Sequence, residues 1–270
     1  MGVLMLEFFS EITLDLNEVE KKLKEVTIDS DPFINQNTNL LLDSGGKRLR
    51  PAFSLLGAKL ANYDLSQVLP LAVAIEIFHM ATLVHDDVVD CSLTRRGQPT
   101  VKALRGNRIS THLGNYLLAK ALILFSQYSN PLIPAVMSEV SFKICQGELY
   151  QIQTLQDSSQ NLKNYFYRIN RKTAVLLAAS CQLGAVACGA GWEIYQPLRR
   201  YGHCMGMAFQ IADDILDFTA TATTLGKPVG NDLKEGIITL PVIWALQDSP
   251  QKEKLRELLL LKSKSETDIA

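Results

Sequence analysis

An all-α fold is predicted by three features of this 270-residue chain. Long segments carry apolar residues at the helical period. Alternating runs bounded by tight hairpin signals are absent. Pro and Gly gather at a few breaks between the long segments. Residues 12–26 set Ile12, Leu16, Val19, Leu23 and Val26 on one seam, with Glu and Lys opposite, as in an amphipathic helix. Ser30-Asp31-Pro32 opens the next helix, with Pro tolerated near a helix start. Ser44-Gly45-Gly46 is a break. It leads into Lys47-Arg48-Leu49-Arg50-Pro51, where Pro51 biases Arg50 away from helix and places the basic residues at a loop-to-helix junction. Pro70 to about Asp90 reads as one long helix. Further breaks fall at Gly97-Gln98-Pro99, Asn130-Pro131, Asp157-Ser158-Ser159, Gly189 to Gly191 and Thr219 to Gly230. No repeat of solenoid length is present. The expected organisation is a single domain over 1–270.

Hydrophobic residues make up 47% of the chain, enough for a large core, which excludes disorder as the main state. The net charge of −1 gives no overall attraction to nucleic acid, so none is expected as a partner. The charge is unevenly placed, however. Cys91 to Ser138 lacks acidic residues but holds Arg95, Arg96, Lys102, Arg105, Arg108 and Lys120, just after Asp86, Asp87 and Asp90. Five cysteines without CxxC spacing argue against a disulfide framework and against structural zinc. No signal-peptide pattern opens the chain, and the expected compartment is the cytoplasm. Ala174 to Trp192 is long and apolar enough to suggest a membrane span. Its small residues and Gln182 favour a helix buried in a helical protein.

Two acidic motifs carry the chemistry. In His85-Asp86-Asp87-Val88-Val89-Asp90, Asp86 and Asp90 share a helix face, where like charges repel unless a cation lies between them. Mg²⁺ takes oxygen ligands and commonly joins carboxylates to substrate phosphates. A second copy, Asp213-Asp214-Ile215-Leu216-Asp217, forms one polar stripe with Gln210. Facing carboxylate sets can hold several Mg²⁺ ions around a polyanion. Basic residues suited to phosphate oxygens lie in the Lys47, Arg48, Arg50 cluster, at Arg95 and Arg96, at Arg171-Lys172-Thr173, and at Lys227.

These stretches resemble the trans-type (E-type) isoprenyl diphosphate synthases. The matching segments are GGKRLRP (45–51), IEIFHMATLVHDDVVD (75–90), LTRRGQPTV (93–101), GEL (147–149), RKTA (171–174), GMAFQIADDILDF (206–218) and LGKPVGNDLKEGIITLP (225–241). Within the family the chain is most similar to catalytic subunits of bacterial hexaprenyl or heptaprenyl diphosphate synthases, which supply menaquinone side chains. The resemblance implies a single large helical bundle around a central cavity. It implies Mg²⁺-assisted ionisation of an allylic diphosphate, attack by isopentenyl diphosphate, and loss of a proton to leave a trans double bond. Repetition gives a medium or long polyprenyl diphosphate.

By the same resemblance, Asp86 and Asp90 are first-motif metal ligands and Asp213 the second-motif ligand, with Asp87, Asp214 and Asp217 in the same metal-binding sets. Arg95, Lys172 and Lys227 match allylic diphosphate ligands. Lys47, Arg50, His79 and Arg96 match the isopentenyl diphosphate site, and Thr173 and Gln210 line the reacting region. Chain length is a volume question, in which the small Ala81 and Thr82 leave room and Phe78 is the candidate floor. The expected assembly is a homodimer, or a heterodimer with a small regulatory subunit, with at most peripheral membrane contact through the product. Asn115 stands where the family usually has Asp, a change expected to alter buried hydrogen bonding. Family chains continue through further helices, so the C-terminal helices are expected to be missing or shortened. A terpene cyclase and a non-catalytic prenyl-binding subunit are the competing readings. The intact second aspartate motif and the retained arginines weigh against them.

Overall fold

The structure is a computed structural model that describes residues 9–220, 230–261 and 264. Its helices are α1 (Thr13–Thr27), α2 (Pro32–Asp43), α3 (Leu49–Lys59), α4 (Leu65–Val89), α5 (Val101–Ser126) and α6 (Leu132–Gln153). They continue as α7 (Leu162–Ile169), α8 (Val175–Ala187), α9 (Trp192–Thr219), α10 (Asn231–Glu235), α11 (Leu240–Asp248) and α12 (Lys252–Leu260). Among the described residues the strands are two antiparallel residue pairs, β1 (Thr94–Arg95) and β2 (Gln98–Pro99). The all-α expectation therefore holds. The chain forms two compact units, Met1–Glu139 with Leu177–Gly202, and Val140–Leu176 with His203–Ala270.

In the first unit α4 is the central element, packed by α5, α3 and α1. Its residues from Leu71 to Phe78 are all buried, so it is apolar on every face and lacks an amphipathic stripe. The helix begins five residues before the predicted start, because Asp64 caps it by accepting from the Ser66 N–H at 2.9 Å. Pro70 lies inside the second turn. Asp31 caps α2 through the Phe33 N–H at 2.8 Å, with Pro32 at the first helical position as the sequence indicated. Arg50 departs from expectation. The helix starts at Leu49, so Arg50 lies within its first turn. Pro51 is the third helical residue, where the lost N–H has no intrahelical acceptor in any case, and its bias on Arg50 is overridden.

Within the 174–192 stretch, residues 174–186 are buried while Gly189, Gly191 and Trp192 are exposed, and it is not one long helix. Helix α8 ends at Ala187 and Gly189 turns the chain with φ 78°. Among the described residues, the helix long and apolar enough to cross a membrane is instead α4, and 67% of its apolar window is buried inside the protein. The small residues of α8 serve close packing. Leu177 and Cys181 meet Phe53 of α3, and Gly184 lies directly against the Ser54 carbonyl. Asn115, on α5, is exposed, which corrects the expectation of a buried hydrogen bond there.

The second unit has its own core. Tyr165 and Ile169 of α7 pack with Leu233, Ile238, Val242, Ile243, Leu246 and Leu259. The leucine-rich segment near the end of the chain is thus used in packing, through Leu255, Leu258 and Leu259 of α12.

Replacing Gly184 by Ala would drive a methyl group into the Ser54 backbone. We expect Gly184→Ala to lower stability by about 1–3 kcal/mol, measured by denaturant unfolding.

Candidate active site

The first acidic motif occupies the C-terminal turn of α4, with Asp90 as its C-cap. No basic residue lies in that turn, so the negative end of the helix dipole adds to the charge of three carboxylates. The three acids divide by direction. Asp87 is 3% exposed and turned inward, where Arg95 binds its Oδ1 through Nη2 at 2.7 Å and Nε at 2.8 Å. Burial raises the Asp87 carboxyl above its usual range, and the Arg95 charge opposes that shift without cancelling it. Asp86 and Asp90 are half-exposed, one helical turn apart.

Arg95 belongs to β1, and the two-residue loop Arg96-Gly97 joins it to β2. Both loop residues have positive φ, 53° and 76°, as a hairpin turn matched to strand twist requires. The turn places Arg96 so that its Nη1 donates to the Gly45 carbonyl. The sequence showed a break at 97–99, but such short strands give no periodic signal.

Arg48 also has positive φ, 48°, at the N-cap of α3. Its Nη1 bonds Glu76 at 3.0 Å and its Nε bonds Glu20. Burial lowers the Arg48 affinity for its proton, but the two carboxylates outweigh burial and the net shift is upward. Arg50 is less well provided for. Its Nε is buried without a hydrogen-bond partner among the described residues. Burial, together with Arg96 and against the pull of Glu76, pushes it down to about 10. A buried guanidinium left in this condition is a receptor for anionic oxygens. His79 shares the environment. Burial first, then Arg50, Arg96, Arg95 and Arg48, lower it well below 6.5, so the imidazole is neutral at pH 7. A small open cleft is lined by Ser44, Gly45, Glu76, Met80, Asp87, Arg48, Arg95 and Arg96. Lys47 lies exposed on the adjoining loop.

The proposed chain-length residues lie further along α4. Phe78 is 2% and Ala81 1% exposed, while the Thr82 hydroxyl turns back to donate to the His79 carbonyl at 2.8 Å.

In the second unit, α7 continues into a π-helical turn, Asn170–Ala174, which carries Lys172 and Thr173. Such turns recur at functional sites. Gly147 of α6 and Gly206 of α9 let those helices approach it. Side chains there would meet the Arg171 Cβ at 2.9 Å and the Ala174 backbone. This close approach explains the glycines of GEL and GMAFQ. Lys172 pairs with Glu148 at 2.8 Å, and Arg171 stacks over the Tyr167 ring at 3.6 Å.

A hydrogen-bonded row then crosses to α9. The Thr173 hydroxyl donates to Gln210 Oε1 at 2.7 Å, and Gln210 Nε2 donates to Asp214 Oδ1 at 2.8 Å. The Tyr165 hydroxyl donates to Asp214 Oδ2 at 2.7 Å. Asp214 is 3% exposed, and burial raises its carboxyl despite these donors. Asp217 is fully buried and accepts from the Asp232 N–H at 3.2 Å, tying the start of α10 to α9. Of the three acids in this motif, Asp213 alone is exposed. Lys227 lies outside the described residues.

The residues present fit a divalent metal by the chemistry of their donors. Among the described residues no three of His, Cys, Asp and Glu converge into a closed cage. Asp86 and Asp90 form a partial, all-oxygen set, the kind Mg²⁺ completes with phosphate oxygens and water. Asp87, Asp214 and Asp217 hold inward partners and shape the two motifs from within.

Four contributors escaped sequence reasoning: Arg48 as a structural tie, Glu76, Tyr165 and Arg168. Arg168 is buried and donates to the Ile238 carbonyl at 2.6 Å. Glu76 alone had a legible signal, as the single charged residue between Leu65 and His85.

Because the native state holds His79 below its unfolded value, the unfolded chain binds the extra proton more readily. Stability present above about pH 6.5 is lost as pH falls from 6.5 through the lowered native value. We expect His79→Gln to reduce the loss of stability between pH 7 and pH 5, measured as denaturant midpoints against the parent protein.

Comparisons with known proteins identify the family. The family model described as polyprenyl synthetase matches residues 31–270. The chain is 43% identical over 248 residues to heptaprenyl diphosphate synthase component 2 of Bacillus subtilis, covering 92% of this chain and 71% of that protein. It is similar to the crystal structure of heptaprenyl diphosphate synthase from Staphylococcus aureus, with TM-score 0.89 and 39% identity, covering 95% of this chain and 80% of that one. It also resembles a polyprenyl synthase from Caulobacter crescentus, solved with calcium and isoprenyl diphosphate, with TM-score 0.85 and 32% identity over 94% of this chain and 83% of that one. The chain belongs to the polyprenyl synthetase family.

Proposed function

We propose that this protein is a trans-prenyltransferase. It condenses an allylic diphosphate with isopentenyl diphosphate and repeats the step to a medium- or long-chain polyprenyl diphosphate. The observation that carries this reading is the contrast at the end of α4. Two half-exposed carboxylates stand one turn apart, and the same unit gathers Arg48, Arg50, Arg95 and Arg96 around a neutral His79.

Mg²⁺ is the proposed ion, held by Asp86 and Asp90 and, for the second motif, by Asp213. When bound it would neutralise diphosphate oxygens as negative charge develops on the leaving group. The chain's own residues do the rest. The allylic C–O bond breaks and its electron pair leaves with diphosphate, a departure eased by fixed cations. Arg95, Lys172 and Lys227 are assigned to that diphosphate. Arg95 is already oriented by Asp87. Arg50, Arg96, Lys47 and His79 are assigned to isopentenyl diphosphate, whose double-bond electrons form the new C–C bond. The adjacent carbon then loses a proton to the released diphosphate. Thr173 and Gln210, hydrogen-bonded to each other at 2.7 Å, are assigned to stabilising the cation.

The product is proposed to be near heptaprenyl length, and the enzyme to work with a partner subunit in the cytoplasm. Support for product and partner comes from the relative named as a component of heptaprenyl diphosphate synthase. All five cysteines are free, which suits a reducing compartment.

Incubation with Mg²⁺, farnesyl diphosphate and isopentenyl diphosphate, with and without a partner subunit, should give elongated products sized by mass. Absence of elongation in both arms defeats the proposal. Asp90→Asn should lower kcat by about 10²–10³-fold with folding retained, seen in steady-state kinetics and circular dichroism. Phe78→Ala should shift products to longer chains, and an unchanged distribution would remove Phe78 as the floor.

A further inference from the structure

The IEIFH segment contains one charged residue that none of these roles employs. Glu76 is 4% exposed in the middle of α4, three residues before His79. A carboxylate in so apolar a helix requires a compensating charge, and Arg48 supplies it at 3.0 Å. The same guanidinium reaches Glu20 on α1, whose side chain is 40% exposed. Arg48 is therefore held from two helices while its backbone adopts a left-handed turn, φ 48°. That turn sits between Lys47 and Arg50 and determines where both side chains leave the chain.

The guanidinium tips of Arg48 and Arg96 lie together over Gly46. A side chain there would meet Arg48 Nη1 at 2.8 Å and Arg96 Nη1 at 2.9 Å. Glu76 pairs with Arg48, and its charge also acts on Arg96 and Arg50. Two or more guanidinium groups this close repel, and a buried carboxylate beside them lowers the cost of keeping them gathered.

We propose that Glu76 is a positioning residue for isopentenyl diphosphate recognition: through its ion pair with Arg48 it holds the 45–48 turn, and with it Arg50 at the start of α3 and Arg96, which donates to the Gly45 carbonyl, in the geometry that receives the second substrate. The inference rests on the assignment of this cluster to isopentenyl diphosphate. Glu76 touches no substrate in this scheme and acts only through the arginines.

The test is steady-state kinetics on the full chain, with any partner subunit it requires, varying each substrate separately. Glu76→Gln should raise KM for isopentenyl diphosphate at least tenfold while changing kcat and the allylic KM less than threefold. Arg48→Gln should do the same, and the double variant should be no worse than either single one. Additive losses, or equal shifts in both KM values, would overturn the proposal. A lowered melting temperature with an unchanged isopentenyl diphosphate KM would show a merely structural role and would also overturn it. Should Glu76→Gln fail to fold, Glu20→Gln tests the exposed end of the same tie. It should raise the isopentenyl diphosphate KM about two- to fivefold with normal folding, and an unchanged KM would count against the proposal. Failure of the functional reading would look different, because the unmodified protein would then elongate no allylic diphosphate.

Discussion

Three carboxylates crowd the C-terminal end of α4, where the helix dipole is already negative, and the surrounding architecture answers that electrostatic problem. Asp87 is answered from within by Arg95. This ion pair anchors the short hairpin whose next residue, Arg96, reaches across to the Gly45 loop. The arginines therefore arrive near α4 through the hairpin and through the turn before α3, and neither route depends on a long element. Asp86 and Asp90 remain on the outward side of the helix end, in the arrangement a divalent ion with phosphate ligands would use.

The second unit solves a similar problem by hydrogen bonding. Asp214 is buried, and no arginine forms an ion pair with it among the described residues. Tyr165 and Gln210 donate to it instead, and Thr173 orients Gln210 in turn. Tyr165 is also a centre of the hydrophobic core of that unit. The acidic motif on α9 is thus fastened to the packing of α7. Substitutions in that core would be felt at the motif.

Each DDxxD mixes inward and outward acids, but the two motifs divide differently. Residues four apart lie near one helix face. Asp86 and Asp90 follow that geometry as the half-exposed pair, while Asp87 cannot join them. In the second motif Asp213 is exposed while Asp217, four residues on, is fully buried, so the packing around α9 sets the division there.

The sequence by itself determined the helical class, most breaks, both acidic motifs and the residue types suited to diphosphate. These are properties of spacing and composition, local along the chain. It misjudged the start of α4, because the Asp64 cap is a single weak signal before a proline. It placed Arg50 outside α3, because the proline preference is weaker than the helix that packing selects. It could not show the π-helical turn at Asn170–Ala174, against which α6 and α9 pack closely at Gly147 and Gly206. Nor could it show which acids face inward, or that Glu76 and Arg48 meet across 28 residues of chain. Those outcomes were decided by tertiary structure alone, because burial and charge pairing arise only when distant segments are brought together and water is excluded between them.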